Sequence, residues 1–181
     1  MSGVIVRLEE EPDRPAALEV ESLAFGGSAE AAIVERVRDE DGSFSLVAIE
    51  GERLVGHVQL SRAWIGDRPV LALGPIGVHP DRQGGGIGSS LVRSALDEAC
   101  RRGEVAVILL GSPDHYPRFG FSPAVAWGLR NPFTGVQEDG FVVEEEDFML
   151  APLVDPAPSF AGEVRWHPAF GQPVEAPDEP R

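Results

Sequence analysis

The chain has no lysine. All fifteen of its basic residues are arginine, set against thirty acids, for a formal net charge of −15. So acidic a chain repels polyanions, which argues against nonspecific binding to nucleic acid or to an anionic membrane surface and leaves neutral or cationic partners. Arginine in every basic position, with abundant Ala, Gly, Val and Pro, reflects GC-rich codon usage and says nothing of function. Cysteine occurs once, at Cys100, so an internal disulfide is excluded and a small, buried apolar role is the expectation for that side chain. No run of about eighteen apolar residues exists, and the opening MSGVIVRLEEEPDR lacks a basic region followed by an apolar one. Neither a membrane span nor a signal peptide is therefore expected, and a cytoplasmic location follows. His57, His79 and His167 lie far apart and no His, Cys and Asp positions share metal-ligand spacing, so no metal is expected.

With 181 residues, 43% apolar and 25% charged, the chain has the composition of a folded body and the length of one domain, assigned to residues 1–170. From Gly171 onward GQPVEAPDEPR carries three prolines and three acids with little to bury, so 171–181 reads as a loose acidic tail.

GVIVRLEE reads as a strand, and DRPAALEVESLAF and SAEAAIVERVRDE as two short helices with apolar residues three and four apart. FSLVAIEGERLVGHVQLSRAWI splits into two strands around Glu50-Gly51-Glu52, a hairpin. PVLALGPIGV is a further strand interrupted by Gly74-Pro75. Proline removes a ladder donor, so a bulge or splay is predicted there. From Ile87 to Arg102, Ile87, Leu91, Val92, Ala95, Leu96, Ala99 and Cys100 form one apolar face of an amphipathic helix, closed by Arg101, Arg102 and Gly103. EVAVILLG follows as a continuous apolar run, the pattern of a buried parallel strand, completing a right-handed βαβ unit. AVAWGL, GFVVEEEDFMLAPL and GEVRWHPAF are candidate late strands.

Before the long helix, VHPDRQGGGIGSSL places Gly84, Gly85, Gly86 and Gly88 within five residues. Glycines at a helix start let successive backbone N–H groups converge without Cβ obstruction, and the helix dipole adds positive potential, so the pattern suits a phosphate. It is not a dinucleotide fingerprint, because the third glycine is Ser89 or Leu91 depending on register. Without lysine it cannot be a P-loop either.

Gln83-Gly84-Gly85-Gly86-Ile87-Gly88 matches Q/R-x-x-G-x-G/A and, with GPIGVHPD ahead of it, resembles the acetyl-CoA motif of the GNAT superfamily of N-acetyltransferases. The later YPRFGF is similar to the corresponding stretch of a bacterial branch of that family. The resemblance implies an α/β acyl-CoA N-acyltransferase fold: a mixed, mostly antiparallel sheet, splayed at the acetyl-CoA site, with helices on both faces. It implies acetyl-CoA as cosubstrate and transfer to a primary amine, on a small molecule or a peptide, by direct attack on the thioester. It assigns backbone contacts with the pantetheine arm to Ile76, Gly77 and Val78, and the pyrophosphate to Gln83, Gly84, Gly85, Gly86, Ile87, Gly88 and Ser89. Homodimers are common among such proteins. A fold kept as a non-catalytic acyl-CoA sensor is the alternative.

Tyr116 is the sole tyrosine. In the family a tyrosine after this strand protonates the departing thiolate, a role open to a phenol with a pKa of about 10. The oxyanion would be met by a backbone N–H of the splayed strand, assigned to Val78. No ionisable group stands in LALGPIGV, so the general base is left unassigned. Asp114, His115 and Glu21 are considered for it, each with a surface position as the default. Arg82 is either a phosphate neighbour or a solvated arginine. Arg118 and Phe119 either shape the end of the slot or, as the default, pack, and the Glu144–Asp147 acids either attract a cationic acceptor or, as the default, form a solvated face.

Overall fold

The computed structural model describes residues 3–136 and 142–171. Val4–Leu8 (β1), Phe44–Glu50 (β2), Arg53–Ile65 (β3) and Arg68–Val78 (β4) pair antiparallel in chain order. Two-residue turns led by Gly51 (φ 63°) and Gly66 (φ 59°) join β2 to β3 and β3 to β4, a left-handed conformation open to glycine without steric cost. Ala106–Leu110 (β5) is buried over its first four residues and runs parallel to β4, as its unbroken apolar sequence requires. Beyond β5 the sheet continues through Phe148–Pro152 (β9) to Ser122–Pro123 (β6). Val164–Arg165 (β10) pairs with the end of β3, and Gly135–Val136 (β7) with Val142–Val143 (β8) form a separate small ladder.

Helices lie on both faces. Alternation along β2 decides which: Leu46 and Ala48 join Leu91, Val92 and Ala95 of Ile87–Arg101 (α3) in one core. Val47 joins Ala17 and Val20 of Arg14–Phe25 (α1) on the other side, and Ala29–Val37 (α2) packs beside α1. Leu91 is fully buried, so its truncation to alanine costs about 2–5 kcal/mol. The buried stripe of α3 stops at Ala99. Cys100 is exposed, which corrects its assignment to the apolar face: it lies one position, about 100° of helical rotation, past the stripe. Arg101 and Arg102 at the helix end also converge on the buried Glu98 carboxylate, at 2.6 and 2.7 Å.

Gly74-Pro75 distorts the sheet as predicted. Val58 pairs with Ile76 but Leu60 with Leu73, so Gln59 faces both Gly74 and Pro75 and β4 bulges; the Gly74–Pro75 peptide is cis. Parallel pairing between β4 and β5 is confined to Leu71 with Val107 and Ala72 with Ile108. The later half of β4 therefore leaves the ladder on that side.

The late strands are shorter than the sequence suggests. AVAWGL is a 3-10 turn, Ala124–Trp127, ended by Gly128 at φ 76°, and GEVRWHPAF yields only β10 before Pro168 starts another 3-10 turn. Of GFVVEEEDFMLAPL, Gly140 and Phe141 lie outside the described residues; the rest gives β8 and β9. The tail reading likewise falls outside them beyond Gly171.

Candidate active site

Where β4 parts from β5, a cavity of about 680 Å³ opens between Leu73, Gly74 and Pro75 on one side and Leu110 and Gly111 on the other. The glycine loop lies at the C-terminal end of the freed half-strand. Gly84 and Gly86 adopt φ 77° and 81°, conformations a side chain would strain, and a Cβ built on either meets nothing within 4 Å. The loop is held from below: Gln83 Nε2 donates to the Val78 carbonyl at 3.1 Å, and His79 N–H donates to Val55 O at 2.9 Å. Gln83, assigned to the coenzyme, thus spends its side chain on the loop, and its backbone N–H donates to Pro80 O at 3.4 Å.

At the start of α3 the first intrahelical bond runs from Ser90 N–H to Gly86 O at 3.0 Å. The amides of Ile87, Gly88 and Ser89 have no helical acceptor, no side chain caps them, and no acid stands in the first turn. In a protein of charge −15 this is an exposed, electropositive spot on a fifteen-residue helix. Open space over strained glycines and unspent amides are what a diphosphate needs, so the residues present fit the group. Arg82 is neither free in solvent nor on the loop: it is ion-paired closely with Glu50 at the end of β2.

Tyr116 opens the 3-10 turn Tyr116–Phe119 that follows β5. Its ring lies over Gly111 so closely that an alanine Cβ there would clash with Cε2. The edges of Phe121 and His115 meet it at centroid distances of 5.7 and 5.1 Å. Burial pushes the phenol pKa up, so the group keeps its proton at neutral pH. Asp114 is exposed, and so is Arg118, which donates to the Asp114 carbonyl at 3.4 Å. Phe119 packs against the α3 core beneath Arg93, as assigned. The acids from Glu144 to Asp147 are not simply a solvated face: Asp147 lines the cavity while its Oδ2 accepts from Glu144 N–H at 2.9 Å, and Glu145 bonds Asn131 and Thr134.

Glu21 is not a surface residue. It is fully buried in α1, with Oε1 2.7 Å from His57 Nδ1 on β3, and it stands against Gly77 of β4. Burial pushes its carboxyl pKa up, opposed by the hydrogen bond to His57 and by the Gly77 amide. His57 Nε2 in turn faces Glu9 Oε1 at 3.9 Å, and Glu9 faces Arg38 at 3.5 Å. A buried polar chain thus runs from α2 to the freed half of β4. His57 reads from sequence as an isolated histidine, because its partners are 36 residues away or more. Glu30, at the start of α2, was also missed, and it lines the cavity. Its one signal in sequence is an acid in a first helical turn. Among the described residues no group of three or more His, Cys, Asp and Glu could hold a metal ion, and no helix is long and apolar enough to cross a membrane.

The sequence profile of the Acetyltransferase (GNAT) family matches residues 9–121. The uncharacterised N-acetyltransferase YhbS of Escherichia coli K12 is 30% identical over 175 residues, 93% of this chain and 99% of that protein. The uncharacterised N-acetyltransferase YjhQ of the same strain is 36% identical over 112 residues; that match spans 58% of this chain and 62% of YjhQ. Among solved structures, YhbS from E. coli in complex with CoA superposes with a TM-score of 0.81 at 29% identity, over 95% of this chain and 94% of that one. A GNAT family acetyltransferase from Brucella melitensis in complex with acetyl-CoA gives 0.72 at 27% identity, over 94% and 99%.

Proposed function

The chain belongs to the acetyltransferase (GNAT) family, and from that premise we propose that it transfers the acetyl group of acetyl-CoA to a primary amine by direct attack on the thioester. The observation that carries the reading is the departure of β4 from β5 after Ala72 and Ile108, flanked by the uncapped start of α3 and by Tyr116. The structural relatives in complex with CoA and with acetyl-CoA support the choice of cosubstrate. The amides from Gly84 to Ser89 hold the pyrophosphate, and the backbone of Ile76 to Val78 receives the pantetheine arm.

In the transfer, the amine nitrogen forms a bond to the acetyl carbon while the carbon–sulfur bond breaks and its electron pair leaves with sulfur. The Val78 N–H stabilises the carbonyl oxygen as charge builds on it. Tyr116 delivers its proton to the sulfur, giving free coenzyme A thiol; the amine gives up one proton to solvent and ends as an amide, and the Tyr116 phenolate takes a proton back from solvent. A donor that stays protonated well past neutral pH, as burial ensures for Tyr116, suits a leaving thiolate.

The test is release of free thiol from acetyl-CoA over a panel of amines, read above the constant background of the exposed Cys100. Tyr116→Phe should lower kcat by about a hundredfold or more with little change in coenzyme A binding. Unchanged turnover would remove Tyr116 as the acid. Failure of coenzyme A and acetyl-CoA to raise the melting temperature would overturn the reading altogether.

A further inference from the structure

The cavity at the parted strands has an uneven lining. Phe25, Ile33 and Leu73 line it with Phe133, Trp166 and Phe170, and the last three form one edge-to-face stack with centroid spacings of 5.8 and 5.7 Å. Among the described residues, its charged lining is two carboxylates, Glu30 and Asp147, with no arginine or histidine. Asp147 already accepts the Glu144 amide. Glu30 is half-buried, has no hydrogen-bond or ion-pair partner among the described residues, and stands close enough to Glu21 to disfavour that carboxylate's charge. A partly desolvated, unpaired carboxylate in a strongly acidic protein calls for a cation.

The apolar surface is equally unspent. Phe25 and Leu110 both border this cavity and are 48% and 39% exposed, an arrangement unfavourable in water and useful against an apolar ligand. A volume of about 680 Å³ suits a small molecule. Resting on the acetyltransferase reading, we propose that the acceptor is a small primary monoamine on an aromatic or bulky apolar body. Its nitrogen is held by Glu30 beside the parted strands, and its body lies against Phe133, Trp166 and Phe170. Glu30 pairs with the incoming ammonium and accepts an N–H hydrogen bond from the amine once that has lost a proton to solvent. Among the described residues the aromatic wall carries no carboxylate of its own, and the second one in the lining, Asp147, already accepts the Glu144 amide, which disfavours polyamines.

The test is steady-state thiol release with 2-phenylethylamine, tryptamine, ethanolamine, spermidine and a lysine-containing peptide as acceptors. The aryl amines should exceed ethanolamine and spermidine in kcat/KM by tenfold or more. Glu30→Gln should lower kcat/KM for the aryl amines at least tenfold, mainly through KM, with unchanged melting temperature and coenzyme A affinity. Phe25→Ala, an exposed position, should raise KM for the aryl amines and leave that for ethanolamine unchanged. Preference for spermidine, ethanolamine or the peptide, or indifference to Glu30→Gln, overturns this inference and leaves the acetyltransferase reading standing. No release with any amine overturns it too, and coenzyme A binding then decides whether the broader reading falls with it.

Discussion

Gly77→Ala tests how the freed half of β4 is held. An alanine Cβ at this position would lie 2.8 Å from Glu21 Oε2, 3.0 Å from its Cδ and 3.2 Å from the Ala24 Cβ. Glu21 is fully buried and tied to His57 at 2.7 Å, so its carboxylate has no solvent to swing into. Two costs follow. Overpacking a filled interior costs about 1–3 kcal/mol. Pulling a charged hydrogen bond apart inside the protein costs roughly 1.5–3 kcal/mol. With partial relaxation the sum is about 3–5 kcal/mol, and for a domain of this size each kcal/mol lowers the melting temperature by about 2–4 °C. A drop on the order of 10 °C is expected by differential scanning calorimetry. The double-mutant cycle isolates the cause: in a Glu21→Ala background the two contacts with the Glu21 carboxyl are gone and the Ala24 Cβ at 3.2 Å is the nearest of the three that remains, so Gly77→Ala should then cost under about 1 kcal/mol. Equal losses in both backgrounds, or a loss below about 1 kcal/mol in the wild type, would refute the idea that Glu21 occupies the space which glycine leaves.

Three further outcomes can be checked. Gly111→Ala drives a methyl into Tyr116 Cε2; it should cut kcat toward the Tyr116→Phe value without weakening coenzyme A, and should cost no further activity when combined with Tyr116→Phe. Gly86→Ala forces a φ of 81° on a side chain, worth roughly 1–2 kcal/mol of stability, and should weaken coenzyme A about tenfold by titration calorimetry as the start of α3 readjusts. The folded pKa of Glu21 lies above its ordinary 4.5, so the native state holds that proton more firmly than the unfolded chain. Its contribution is complete below about pH 4.5 and is lost as pH rises through the folded value. Urea midpoints of wild type minus Glu21→Gln should therefore fall as pH rises above about 4.5; a rise would contradict the assigned direction.

Periodicity in this chain was enough for its regular elements. Strand-like runs on either side of Glu50-Gly51-Glu52 marked β2 and β3, the 3.6-residue stripe marked α3, and the unbroken apolar run of β5 marked a parallel strand, because these patterns record how a segment meets a core. Pro75 marked the bulge, since a missing N–H is a property of the residue itself. The glycine loop was legible for the same reason: left-handed backbone and a helix start are local, and the chain writes them as glycine. The exposed Cys100 and the 3-10 turn in place of AVAWGL mark where local pattern ran out. One position along a helix, or one glycine at φ 76°, redirected those segments.

What the tertiary structure alone decided is which distant side chains share a space. Glu21, His57 and Gly77 belong to three elements, and nothing in their spacing foretells a buried pair pressed against a strand. Glu30 of α2, Leu73 of β4 and Trp166 near the C-terminal end come together only because β4 leaves β5 after two paired residues and opens a cavity there. Burial and electrostatic coupling are sums over neighbours that folding assembles. Sequence therefore determined where a glycine loop and an uncapped helix start would stand, and only the folded sheet decided which residues line the cavity beside them.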